Sequence, residues 1–123
     1  MTSDIQIEIS GLRDAQGLVR LCLTAEPRAF PDCKGPSAVH ASAKASTAPV
    51  HYTFVGVPLG TYAVAAFHDA NGNGRLDTMI GIPKEGFAFS RNPKLHARAP
   101  FFSEAAFETD RKPLSPLKMK YIL

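Results

Sequence analysis

The sequence predicts an all-β protein, a two-sheet antiparallel sandwich of six to eight short strands. Apolar and polar residues alternate with period two in one run after another, the runs are short, and turns containing Gly or Pro separate them. No segment holds a 3.6-residue periodicity long enough to supply a layer of helices. Strands that alternate in this way give each sheet one buried and one wetted face, and two such sheets bury their apolar faces against each other.

The elements follow in order. Ile5, Ile7 and Ile9 alternate with Gln6 and Glu8, a first strand with one polar face. Residues 11–17, from Gly11 to Gly17, form a polar connection containing Asp14 and Gln16. The next strand carries Val19, Leu21 and Leu23 on one face and Arg20, Cys22 and Thr24 on the other. Residues 27–36, bounded by Pro27 and Pro36, read as a long irregular loop that holds Cys33. Residues 37–48 fit two descriptions: their alanines favour a short helix, whereas an all-β neighbourhood favours a weak edge strand. Residues 50–57 are a strand with Val50, Tyr52 and Phe54 on one face, and Pro58-Leu59-Gly60 turns the chain. Residues 61–68 form the following strand, with Tyr62, Val64 and Ala66 inward. Short extended segments are expected at 87–90 and 105–109, with a loop over 92–100 between them. In the closing strand, residues 114–123, Leu117, Met119, Tyr121 and Leu123 alternate with Lys118 and Lys120.

At 123 residues, the chain is read as one domain, residues 1–123, long enough to bury a single core. Fourteen basic against 11 acidic residues leave a formal charge of +3. That modest excess lacks a dense basic stripe with stacking aromatics, so no nucleic-acid partner is expected. No apolar run reaches the roughly 20 residues of a membrane-spanning helix, and no membrane span is expected. Strand-like alternation begins at Ile5, which leaves no visible leader sequence. Cys22 faces away from the Val19–Leu21–Leu23 side, and Cys33 follows Pro31 in a loop. A disulfide between them would staple the loop by about 2–3 kcal/mol and point to export. The alternative is two unconnected thiols in a reducing compartment. Two cysteines without a nearby His cluster make a poor zinc site.

The stretch that bears most on function starts at His68. Oxygen-bearing side chains recur at Asp69, Asn71, Asn73 and Asp77, and Gly74 stands where an ion-wrapping backbone turns sharply. Ca²⁺ takes about six to eight hard oxygen ligands, which such a loop can supply. Against the helix-flanked calcium motif, Asp69, Asn71 and Asn73 take the first, third and fifth positions and Gly74 the sixth. Arg75 would offer its carbonyl, and Asp77 the ninth position. The bidentate Glu expected at the twelfth is Ile80, and Glu85 is the nearest replacement. The ligand set read from sequence is therefore Asp69, Asn71, Asn73, Arg75, Asp77 and Glu85. With few carboxylates the affinity should be weak, about 10⁻⁴–10⁻³ M, as in extracellular modules. The competing description is a metal-free turn, since Asn71-Gly72 and Asn73-Gly74 also suit hairpin geometry held by side-chain hydrogen bonds.

The run Gly56-Val57-Pro58-Leu59-Gly60-Thr61-Tyr62-Ala63-Val64, then His68-Asp69, Asn71, Asn73, Asp77, Gly81-Ile82-Pro83-Lys84-Glu85-Gly86 and Phe89-Ser90, resembles the bacterial domain-of-unknown-function family number 2141. Phe102-Ser103-Glu104-Ala105-Ala106-Phe107 and Leu117-Lys118-Met119-Lys120-Tyr121 resemble its C-terminal segment. The resemblance implies a transthyretin-like (prealbumin-like) sandwich and an exported protein, periplasmic or secreted, whose leader is not included in this chain. It implies no activity.

Other constellations are weaker. His68 suits a hydrogen-bonded brace at the core rim better than catalysis, which needs a nucleophile or metal beside it. His40, His51 and His96 are scattered. Asp77 and Glu85 fit an ion or structural role better than hydrolysis, and Ser90 and Ser103 lack a nucleophile-elbow setting. Phe87 and Phe89 read as strand residues, while one of the adjacent Phe101 and Phe102 must face outward. The functional expectation is a non-enzymatic binding or structural module with a weak Ca²⁺ loop at 69–77, its partner an unidentified protein or carbohydrate. The alternative is a carbohydrate- or peptide-recognition domain without a functional metal.

Overall fold

The computed structural model describes residues 1–31, 33, 35–70, 78–79, 82–83, 86–94, 100–109 and 114–121, with 78–79 and 82–83 as backbone only. Its strands are β1 (Thr2–Ser10), β2 (Leu18–Thr24), β3 (Val39–Lys44), β4 (Val50–Pro58), β5 (Thr61–Asp69), β6 (Thr78–Met79), β7 (Ile82–Pro83), β8 (Phe87–Phe89), β9 (Phe107–Glu108) and β10 (Leu117–Lys118). One short helix, α1, spans Phe102–Ala105, and a 3-10 turn spans Pro27–Ala29. Among the described residues, eight of these strands build two sheets, one ordered β10-β1-β4 and one ordered β3-β2-β5-β8 with β9 on the start of β5. Among the described residues, β6 and β7 pair only with each other.

The sheets face each other through the apolar sides that the alternation predicts. Ile5, Ile7 and Ile9 pair with Phe54, Tyr52 and Val50 across β1 and β4. They meet Val19, Leu21, Leu23, Val64 and Ala66 of the other sheet in one buried cluster. Burying each large aliphatic side chain contributes about 1.5–3 kcal/mol, so this seam is the main source of stability. In β4 the alternation breaks after Phe54: Ile5 pairs with Phe54 but Ser3 with Val57. Gly56 takes up the extra residue with a φ of 68°, and Val57 turns inward again.

Four expectations need correction or a decision. Residues 39–44 are an edge strand, because β2 offers an open ladder from Leu18 to Leu23 that a helix could not satisfy. The segment expected to be extended over 105–109 begins with the last residue of helix α1, whose start is capped by Glu104 Oε1 accepting the Phe101 N–H at 2.8 Å, and becomes extended from Ala106. Among the described residues, the closing strand is ladder-paired only at Leu117–Lys118, with a single further bridge from Lys120 to Phe87. That strand also runs parallel to β1, so the sandwich is not wholly antiparallel.

The outer face of the larger sheet is only half wetted, which alternation alone does not foresee. Cys22 and Cys33 form a disulfide with Cα atoms 6.2 Å apart. The loop they staple folds Phe30 onto that face, where it joins Ala63, Ala105, Phe89 and Phe102 in a second cluster. Phe30 meets Phe89 and Phe102 edge-on, at 5.7 and 6.2 Å between ring centroids. Of the two adjacent phenylalanines, Phe101 is the outward one at 60 % exposure.

Candidate functional site

The polar loop starts where β5 ends, and its root is a buried polar cluster. His68 and Asp69 are 1 % and 0 % exposed. His68 shares the inward side of β5 with Val64 and Ala66, as period two requires, and its backbone N–H reaches the Gly86 carbonyl at 2.8 Å. Its Nε2 lies 2.7 Å from the Gln16 carbonyl. A carbonyl only accepts, so Nε2 carries the hydrogen, and in the neutral ring Nδ1 accepts the Tyr121 hydroxyl proton across 2.8 Å. The phenol oxygen in turn accepts the Arg13 backbone N–H at 3.1 Å. The Arg13 guanidinium lies 4.4 Å from the centre of the Tyr121 ring, a cation–π contact. Burial pushes the Tyr121 phenol up from its ordinary range, with Asp14 adding to the rise and the Arg13 hydrogen bond and charge opposing it.

Asp69 points to the opposite face of the sheet. Its Oδ2 accepts Arg20 Nε at 3.0 Å. Arg20 lies two residues beyond Leu18, the cross-strand partner of Asp69, and so on the same sheet face, Leu18↔Asp69 and Arg20↔Phe67 being in register. The guanidinium therefore reaches along the strand to pair with a fully buried carboxylate. Gly17 closes the root: its φ is 71°, and a Cβ there would overlap the carbonyl oxygens of Asp69 and Ala70.

Of the six calcium-ligand candidates, the described residues include Asp69 alone; Asn71, Asn73, Arg75, Asp77 and Glu85 lie outside them. A cation in this loop would have to share Asp69 with Arg20. Among the described residues, no three His, Cys, Asp or Glu side chains converge as a metal site. His68 does have a carboxylate near it, Asp14 Oδ1 at 3.6 Å from Nε2. Both ring nitrogens are already engaged and the ring is sealed from solvent, so the geometry braces the loop root as the sequence predicts.

Sequence reasoning missed three residues that build this region. Arg20 looked like one polar position on an outer strand face, with no signal for its pairing. Ser90 is fully buried; its Oγ accepts the Val64 N–H at 3.0 Å and donates to the Ala105 carbonyl at 2.6 Å, tying β5 to α1. Asn92, with a φ of 45°, accepts the Lys118 N–H at 2.8 Å and donates to the Pro116 carbonyl at 2.9 Å, so its amide stands in for a strand beside β10. The Arg91-Asn92 pair carried the only usable signal, since Asn tolerates positive φ better than most residues.

The match to a family model decides the affiliation. The model for uncharacterized proteins conserved in bacteria (DUF2141) matches residues 7–115. The chain belongs to that family. Its matched region contains most of the sandwich core, His68 and Asp69 of the buried root and the polar loop, and ends before Leu117, so the closing segment with Tyr121 lies beyond it. No curated protein and no solved structure matches the chain.

Proposed function

We propose that this DUF2141 protein is an exported, non-enzymatic binding or structural module of transthyretin-like type that carries a weak Ca²⁺ loop at residues 69–77. The observation that carries this reading is the saturated, buried root of the loop. On one face His68 bonds the Tyr121 hydroxyl and the Gln16 backbone carbonyl, and on the other Asp69 accepts from Arg20 Nε. Among the described residues, no buried side-chain nitrogen or oxygen lacks a partner. Such a root supplies a rigid platform for a loop. The Cys22–Cys33 disulfide supports export, since such bonds persist in oxidising compartments.

The test is thermal unfolding of EDTA-treated protein across a calcium titration. A ligand at 100 times its Kd raises native-state stability by about 2.7 kcal/mol, an easily read shift of the midpoint. Asp77→Asn should abolish the shift while leaving the calcium-free midpoint in place. Asp69→Ala is the less informative variant, because it also strands Arg20. No saturable shift up to about 10 mM, above the weak extracellular range, would leave a metal-free turn.

A second reading, recognition of a peptide or carbohydrate without a functional metal, is favoured by a separate feature. A shallow cleft beside the closing segment is lined by Phe87, Phe89, Asn92, Pro93, Lys118 and Lys120.

A further inference from the structure

We propose that this cleft binds an extended peptide in which apolar and acidic side chains alternate; the inference rests on the binding-module reading above. Phe87 and Lys120 are directly opposed, each donating its N–H to the other's carbonyl at 3.0 and 2.9 Å. Residues opposed in this way present their side chains on one face. Phe89 and Lys118 stand two residues further along their segments and line the same cleft, with the Asn92 side chain between their backbones. One column along the cleft is a pair of phenylalanines, 5.9 Å between centroids and half-buried. The other is a pair of exposed lysines. Ala88, between the phenylalanines, turns into the core.

Two properties select the ligand. The first is the repeat. Both columns advance by two residues of extended chain, about 6.6 Å, which is the spacing of same-side groups in an extended polypeptide. A peptide lying between the columns sends successive side chains alternately toward the phenylalanines and toward the lysines. Apolar residues at one parity and Asp or Glu at the other then match every position. The second is the shortage of neutral polar side chains. The Asn92 amide is spent on Pro116 and Lys118. The lysine ammonium groups could donate to a sugar's hydroxyl oxygens, but a neutral sugar lacks the charge attraction that a carboxylate gains from the same groups. A carboxylate needs only the ammonium groups, and an aliphatic side chain only the rings. The positive charge of the whole chain, +3, adds to the attraction.

The experiment is fluorescence anisotropy of the full chain with a labelled peptide of repeated Glu-Val. Its comparison is a peptide of the same composition permuted to Glu-Glu-Val-Val. Saturable binding of the alternating peptide, weakened roughly tenfold or more by the double reversal Lys118→Glu with Lys120→Glu, is the expected result. Lys44→Glu, the same charge change on the far edge strand, should leave affinity within about twofold after allowing for long-range screening. Equal binding of the permuted peptide would reduce the site to an unspecific positive surface and overturn the proposal. So would displacement by oligogalacturonate or single-stranded oligo-dT at matching charge concentration, or the absence of binding by a protein that unfolds cooperatively. Phe87→Ser keeps the lysines and removes one ring; unchanged affinity in that variant would also sink the idea. A calcium-dependent midpoint without peptide binding would retain the ion-loop module and remove this inference alone.

Discussion

At the scale of single residues, the molecule hides its most reactive-looking groups and uses them as fasteners. His68, Ser90 and Asp69 are each less than 2 % exposed, and each holds two parts of the chain together. The Tyr121 hydroxyl is the most informative atom to remove. Tyr121→Phe keeps the ring but leaves His68 Nδ1 a buried acceptor without a donor, which should cost about 1–3 kcal/mol in urea unfolding at neutral pH. The pH dependence has a fixed sign. The folded protein raises the phenol pKa, so it holds that proton more tightly than the unfolded chain does. Its contribution is complete below the ordinary phenol value of about 10 and is lost as pH rises through the raised folded value. The stability gap between native protein and Tyr121→Phe should therefore narrow only in strong alkali. A gap that narrows between neutrality and the ordinary phenol value would mean that another group governs it.

At the scale of elements, close backbone approach governs where glycine is required. Gly17 and Gly86 flank the loop root from opposite sides: a Cβ on Gly17 would strike the Asp69 and Ala70 carbonyls, and one on Gly86 the Tyr121 ring. Gly35 also has a positive φ, 103°, but faces open space. Gly17→Ala should thus cost several times more than the roughly 1 kcal/mol expected of Gly35→Ala. Similar urea midpoints for the two variants would show that the root yields easily. The contrast also marks what the sequence makes readable. Strands whose one face is buried and other face polar, β1 and β4 above all, are visible because each residue reports its own burial. The same alternation placed Cys22 opposite the core and left its bond to Cys33 as one of two alternatives, of which the structure forms the disulfide. Helix α1 and the Phe30 cluster are not visible, since they depend on which loop folds back onto an outer sheet face. Arg20 and Asp69 lie 49 positions apart, and only the register of β2 on β5 brings them together. The same limit applies to the ion loop: Asp69 announces a ligand in sequence, yet its neighbour across the sheet already satisfies one of its oxygens.

At the scale of the whole molecule, the segment from Leu114 to Tyr121 is the seam that joins the two sheets. Leu117 and Lys118 extend the smaller sheet by pairing with Ile9 and Ser10. Two residues later, Lys120 pairs with Phe87 of the larger one. Between them Met119 donates its N–H to Ser10 at 2.8 Å and buries its side chain in the core. The segment thus closes one side of the sandwich, supplies the lysine column of the cleft and delivers Tyr121 to the loop root. Stability, the proposed peptide site and the polar loop therefore depend on one strip of chain. Leu117 is fully buried and Met119 nearly so. Losing two such side chains costs about 2–5 kcal/mol each, comparable to the whole stability of a small domain. A chain ending at residue 113 should lose its cooperative unfolding transition and its near-ultraviolet circular dichroism. A synthetic peptide of residues 114–123 added in trans should restore both, saturably, because the groove it leaves is lined by strands that pair without it. A truncated chain that still unfolds cooperatively at the native midpoint would show that β1, β4 and the larger sheet close the sandwich by themselves, and the strip would then be an appendage.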